Sequence, residues 1–390
     1  MRSFSPFTDD PPLSLQRQIG LVPRGGGLGI GRRVVFWVTL TWLPIVVWAA
    51  LTGRALPGHA ATEPLLQHFG VHVRLLLGIP LLIVAEGIAH NISQRLSPQF
   101  AAAGLVKPEQ RPALQAIFDR AVRWRSAKLP WIAIVAAAVV WTWTDTLVLS
   151  GAHELTWAQE GGPSGKTSLG FGGWWYVYVG RPVFLALLLG WLWRLLLLTL
   201  VFRRIARLDL ALVPTHPDRV GGLGFVQQYA GAFSLVAFTV AAVIAAGWAH
   251  DARFHGLDVH SLYPMMAMAL GVTIVVALLP FFAFTGALQR AKRQALLDYG
   301  ALVSRHGEAV HRKWIEGRAA EDDPLLEAPE IGPVADTAAL FDSVRNMRVV
   351  PIGKPGLLAL ALPVLIPFVA VLAMQIPLRE LLQGLVKGLL

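Results

Sequence analysis

Two arginines, Arg181 and Arg194, stand inside one apolar run from Trp174 to Phe202. An apolar helix of about 20 residues crosses a bilayer, and this run is longer than that. A guanidinium at such depth is costly. It faces a bundle interior, a partner charge or an aqueous path. Arg194 lies nine residues before Arg203, which marks the basic end of the run. That is about 13 Å of helix rise. Glu86 stands in an earlier apolar run, about 10 Å from the matching end of its helix. The two are matched in depth, so a Glu86–Arg194 pair would lower the cost of both charges. His90 falls one helical turn beyond Glu86, on the same face. A second layer lies near the other end of the runs. There Asp145, Arg181, Arg74 and His72 stand at similar heights. Two kinds of chemistry are open to these groups. They can be ion pairs that fix helix packing, or they can line a path for ions. Arginine outnumbers carboxylate inside the runs, which leans such a path toward anions.

The elements that position these charges are apolar helices. The 390 residues are 55% hydrophobic and 15% charged, well below the quarter or so of a soluble domain. Spans are expected at 34–52, 70–92, 128–150, 173–202, 229–249, 263–289 and 355–378. The fold class that follows is an all-α polytopic bundle of about seven spans. Of the 34 Lys and Arg residues, 26 fall in the connecting segments on one side and five on the other. Arg74, Arg181 and Arg194 lie within spans. By the positive-inside rule the N-terminus is cytoplasmic and the C-terminus is outside. The net charge of +10 therefore reports topology and attraction to anionic lipid rather than nucleic-acid binding. Cysteine is absent, which excludes disulfides, thiolate metal sites and cysteine nucleophiles. The composition points to a bacterial inner membrane.

Four regions follow. Residues 1–33 read as a flexible cytoplasmic arm. Residues 34–289 hold spans 1–6, with an amphipathic cytoplasmic helix at 108–126. Residues 290–354 form a cytoplasmic helical segment. Residues 355–390 hold the last span and an outer interfacial helix. LVP followed by GGLG occurs at 21–29 and again at 212–224. That echo suggests spans 1–3 and 5–7 as parallel repeats.

The most distinctive string is THPDRVGGLGF, residues 215–225. Pro217, Gly221 and Gly222 demand a tight turn. His216, Asp218 and Arg219 then sit at a helix entrance, as a cap or as a gate or ligand contact. This string, with YGALVSRH at 299–306 and SVRNMRVVP at 343–351, resembles an uncharacterised group of bacterial multi-pass inner-membrane proteins. The resemblance covers roughly the C-terminal half. It implies a shared architecture and carries no activity.

GGPSGKTS at 161–168 mimics a phosphate-binding loop, but Glu160 stands where the motif needs glycine, and no strand precedes it. No cofactor is expected. The loop HDARFHGLDVH holds His250, Asp251, His255, Asp258 and His260. Imidazole and carboxylate in that density suit zinc, nickel or copper, and the histidines could also sense protons.

The functional expectation is a channel or transporter for a small ion, anion-leaning and homo-oligomeric, with its path among the charges of spans 2–4. A scaffold or sensor subunit is the alternative. So is a membrane-embedded enzyme acting on a lipid or quinone. No catalytic residue set stands out.

Overall fold

The computed structural model describes residues 4–23, 25, 27–57, 63–148, 153–161, 167–317 and 332–375. The described residues are predominantly helical, and long apolar helices make this a multi-pass membrane protein. The helices are α1 (Pro11–Gln18), α2 (Ile30–Leu51), α3 (Phe69–Ala102), α4 (Arg111–Arg125), α5 (Lys128–Val148) and α6 (Phe171–Ile205). They continue with α7 (Ala230–Phe254), α8 (Tyr263–Phe282), α9 (Thr285–Val310), α10 (Gly332–Arg345) and α11 (Lys354–Leu372). Six of them (α2, α3, α6, α7, α8 and α11) are each long and apolar enough to cross a membrane. The amphipathic helix α4 and the apolar α5 meet at a 44° bend, the geometry of a broken span or a re-entrant hairpin, and the count is seven when the pair is taken as one span. The expected outer helix after residue 378 and the acidic stretch following Gly317 lie outside the described residues.

Two spans contain a π-helical turn, Val73–Gly78 in α3 and Tyr176–Gly180 in α6. Pro80 and Pro182 follow these turns closely. A proline has no N–H to return to the preceding turn, so the ladder widens locally. The two turns face each other, with Leu75 against Gly180. Arg74 lies within the first turn and Arg181 directly after the second.

Small residues let α7 approach its neighbours. Ala237, Ala241, Ala242, Ala245 and Ala246 are all buried, and α11 lies along the same helix. In lipid such close backbone packing replaces the hydrophobic drive that water would supply. The equivalent pair in the proposed repeat, α2 and α5, does not pack in this way. The LVP/GGLG echo therefore does not correspond to repeated packing.

The N-terminal segment is not a free arm. Phe4, Phe7 and Leu13 are buried. Phe4 stacks on Phe118 of α4 and Phe7 packs on Trp191 of α6. Arg125 donates to the Ser5 carbonyl at 2.6 Å. Helix α1 starts where Asp10 caps it, accepting from Leu13 N at 2.9 Å, with Pro11 and Pro12 at its first positions. The chain then turns at Gly29 (φ 59°), where a Cβ would collide with the Leu21 carbonyl oxygen.

Candidate functional site

The depth-matched pair is real. Arg194 Nη1 donates to Glu86 Oε1 at 2.7 Å. Two residues from the N-terminal part of the chain complete the group. Arg194 Nη2 donates to Asp10 Oδ2 at 2.7 Å, and Arg33 Nη2 donates to Glu86 Oε2 at 2.6 Å. Arg33 Nε reaches Gln16 Oε1 at 2.7 Å. All four charged side chains are no more than 5% exposed. Two arginines and two carboxylates cancel, which is the condition for holding charges at this depth. The rings of Trp131 and Phe7 flank the Arg194 guanidinium, at 5.3 Å and 5.9 Å from their centroids.

His90 does not join this group. Its Nδ1 lies 2.9 Å from Ser5 Oγ instead. The sequence reading missed Asp10 and Arg33. Asp10 sits 184 positions from Arg194, in a DDPP string that reads as linker. The legible signal was Asp followed by two prolines, which is a helix start.

The outer layer also forms, around a different carboxylate. Arg74 Nη1 donates to Glu154 Oε1 at 2.6 Å, and Arg181 Nη2 donates to Glu154 Oε2. The Tyr176 hydroxyl donates to Glu154 Oε1 at 2.7 Å. The partner expected from depth was Asp145, whose side chain lies outside the described residues. Glu154 instead reaches in from the loop after α5. Burial alone would raise its pKa, but the Arg74 and Arg181 guanidiniums hold it well below the usual carboxylate range. His72 is satisfied locally. Trp42 Nε1 donates to its Nδ1 at 3.1 Å, so Nε2 carries the proton and donates to the Leu65 carbonyl at 3.0 Å.

The THPDRVGGLGF loop caps itself. Asp218 Oδ1 accepts from Val220 N at 2.8 Å and from Gly222 N at 3.2 Å, and Oδ2 accepts from Gly224 N at 2.8 Å. Arg219, Gly221 and Gly222 adopt positive φ, which lets the backbone wrap round the carboxylate. His216 Nδ1 lies 2.9 Å from Asp218 Oδ1. The amides that could have held an external anion are thus filled by the loop's own side chain. Arg348 then ties the loop to the segment after α10. Its Nη2 donates to the Asp218 carbonyl at 2.9 Å, and its backbone N to the Arg219 carbonyl at 2.7 Å. Two of the three distinctive strings therefore meet in one joint.

Burial alone would raise the Asp218 pKa, but its three backbone donors bring it below the ordinary value. A depressed folded pKa means that the unfolded chain binds the proton first. The stabilisation is complete above about pH 4 and is lost as pH falls through the folded pKa. Asp218→Ala is expected to destabilise this joint by about 2 kcal/mol. Faster amide exchange at Val220, Gly222 and Gly224 would register it. Unchanged protection there would show that the loop is held by something else.

The histidine-rich loop divides. His250 and His255 come together beside Glu63. Asp251 lines an adjacent polar cavity. Asp258 and His260 form their own exposed pair at 2.9 Å. Gly161 and Thr167, at the two ends of the loop-like string, are paired across a two-stranded antiparallel hairpin, β1 (Gln159–Gly161) and β2 (Thr167–Leu169). That is not the strand–loop–helix of a phosphate site.

Beside the inner charge group lies a cavity of about 370 Å³ between α1, α2, α5 and α6. Its floor is Asp10, Arg33, Glu86 and Arg194, and its walls include Leu15, Phe36, Trp37, Val135, Val183 and Leu187. Three buried donor atoms on its lining residues have no hydrogen-bond partner among the described residues: Arg33 Nη1, Trp37 Nε1 and Arg194 Nε. No family model, curated protein or solved structure matches the chain.

Proposed function

We propose that this multi-pass protein lies in the bacterial inner membrane with its basic side cytoplasmic, and that it binds a membrane-dissolved amphiphile beside the Asp10–Arg33–Glu86–Arg194 group. The apolar cavity over a charge-balanced floor supports this reading most directly, and three of its lining residues carry buried, unpartnered donors. A buried N–H without an acceptor costs free energy, so the site favours a head that brings acceptor oxygens. The four charges at its floor cancel, so an anionic head gains no net attraction. A neutral head with carbonyl oxygens, a quinone or a lipid ester, matches better. The walls are apolar and suit a hydrocarbon tail. Exposed Leu15, Ile19 and Val135 also line the cavity, an apolar surface that a hydrocarbon tail would extend along.

Purification in mild detergent followed by solvent extraction and mass spectrometry tests this. The wild-type protein is expected to retain a carbonyl-bearing lipid or quinone at about one per chain. Ala186→Trp fills the cavity without touching the ion group, and Trp37→Phe removes one donor while keeping an aromatic side chain. Both are expected to lower that occupancy severalfold. Equal retention by wild type and Ala186→Trp would sink the reading.

Transport of a small anion is the second reading. It is favoured by the opposite end of the bundle, where Arg74 lines a polar cavity of about 260 Å³ and shares Glu154 with Arg181. Chloride flux in liposomes that persists unchanged after Arg181→Gln would count against it.

A further inference from the structure

Glu63 sits at the centre of a histidine cluster at the end of the bundle away from the amphiphile cavity. Its Oε2 lies 3.4 Å from His250 Nε2, and its Oε1 lies 3.4 Å from His255 Nε2. Thr156 Oγ1 donates to Oε2 at 2.8 Å. The three donor atoms all fall within 4.8 Å of one another.

The tautomer of His250 makes this cluster unusual. Its Nδ1 lies 3.0 Å from the Gln67 carbonyl oxygen. A carbonyl can only accept, so Nδ1 carries a proton, and in the neutral ring Nε2 presents a lone pair. That lone pair points at a carboxylate oxygen, which is also an acceptor. His250 is 5% exposed, and its Nε2 makes no hydrogen bond among the described residues. Two acceptors facing each other in a buried site repel unless a proton or a metal cation lies between them, and a 3.4 Å contact without hydrogen-bond geometry fits the larger cation.

We propose that Glu63, His250 and His255 bind a divalent first-row transition cation, zinc foremost. Zinc bonds to imidazole nitrogen and carboxylate oxygen are about 2.0–2.2 Å long in a tetrahedral array. The edge between two ligand atoms is then about 3.3–3.5 Å. Both contacts have that length, one from each Glu63 oxygen, too long for a strong hydrogen bond and at the spacing of groups arranged around one ion. His255, whose side chain is 20% exposed, closes the third edge by a modest rotation. The Gln67 carbonyl on His250 Nδ1 and the Thr156 hydroxyl on Glu63 are the supporting contacts that orient metal ligands. His68 stacks on His250 with ring centroids 4.4 Å apart. Its Nε2 is 3.3 Å from Thr156 Oγ1, which makes it a buttress rather than a ligand. Three protein ligands leave a fourth position for water or another small ligand. The polar cavity of about 260 Å³, lined by His68, Arg74, Glu154, His250 and Asp251, lies directly alongside.

The test uses the full chain in lipid nanodiscs with zinc or cobalt as the sole probe. After dialysis against metal-free buffer and reloading, wild type is expected to hold about one zinc per chain. Cobalt in its place should give the intense visible bands of a four-coordinate ion. Glu63→Gln and His250→Ala are expected to lose about a hundredfold in zinc affinity. The Asp258→Asn/His260→Ala double variant, altered at the exposed pair, is expected to bind like wild type. The cobalt spectrum is read on wild type and needs no variant to fold. Wild type without stoichiometric zinc overturns the proposal. So does a six-coordinate cobalt spectrum, or unchanged affinity in Glu63→Gln.

Discussion

Replacing Glu86 with glutamine is expected to lower the stability of the protein by about 3–5 kcal/mol. Glu86 is 1% exposed and holds Arg33 and Arg194 on separate oxygens. The amide keeps the shape but removes the charge, which leaves two buried guanidiniums with one carboxylate, Asp10. Burying an uncompensated charge costs more than the pair contributed when intact. Thermal unfolding in nanodiscs measures the loss. A double replacement, Arg33→Met with Glu86→Leu, removes one positive and one negative charge together and leaves Arg194 with Asp10. It is expected to recover most of what the single variant loses. If single and double variants fall equally, the network is not balanced as its geometry indicates.

Asp10→Ala is expected to cost about 3–4 kcal/mol, from two separable sources. One is the cap of α1, worth about 1 kcal/mol. The other is the second carboxylate of Arg194, on a side chain with no exposure. Asp10→Asn keeps a capping oxygen and loses the charge, so it should recover only about 1 kcal/mol of the loss. The whole segment also loosens, because Asp10 links α1 to α6. Trypsin should then cut at Arg17, whose side chain is 33% exposed, faster than in wild type. Equal cleavage of both proteins would mean that Phe4, Phe7 and Leu13 hold the segment by packing alone.

Apolar run length and the distribution of Lys and Arg were enough to read a helical membrane bundle of about seven spans. Both signals are local or additive along the chain. A bilayer demands a minimum length of apolar helix, whatever its neighbours are. The Glu86–Arg194 pair was also legible, because both residues lie within spans and helix rise converts position into depth. Their shared face was not legible, and it excluded His90.

Tertiary structure alone decided which extramembrane segments fold back to complete the charge groups. Asp10 and Glu154 come from outside the spans, where no depth rule applies. Arg33 sits at a span's first turn, where an arginine reads as a topology signal rather than a buried partner. The histidine loop shows the same division. Its density of imidazole and carboxylate was visible, and the sequence reading named five candidates within eleven residues. The structure kept His250 and His255 and supplied Glu63 from the loop between α2 and α3. Ligand atoms converge because helix ends bring distant loops together, and nothing in the local sequence records that distance.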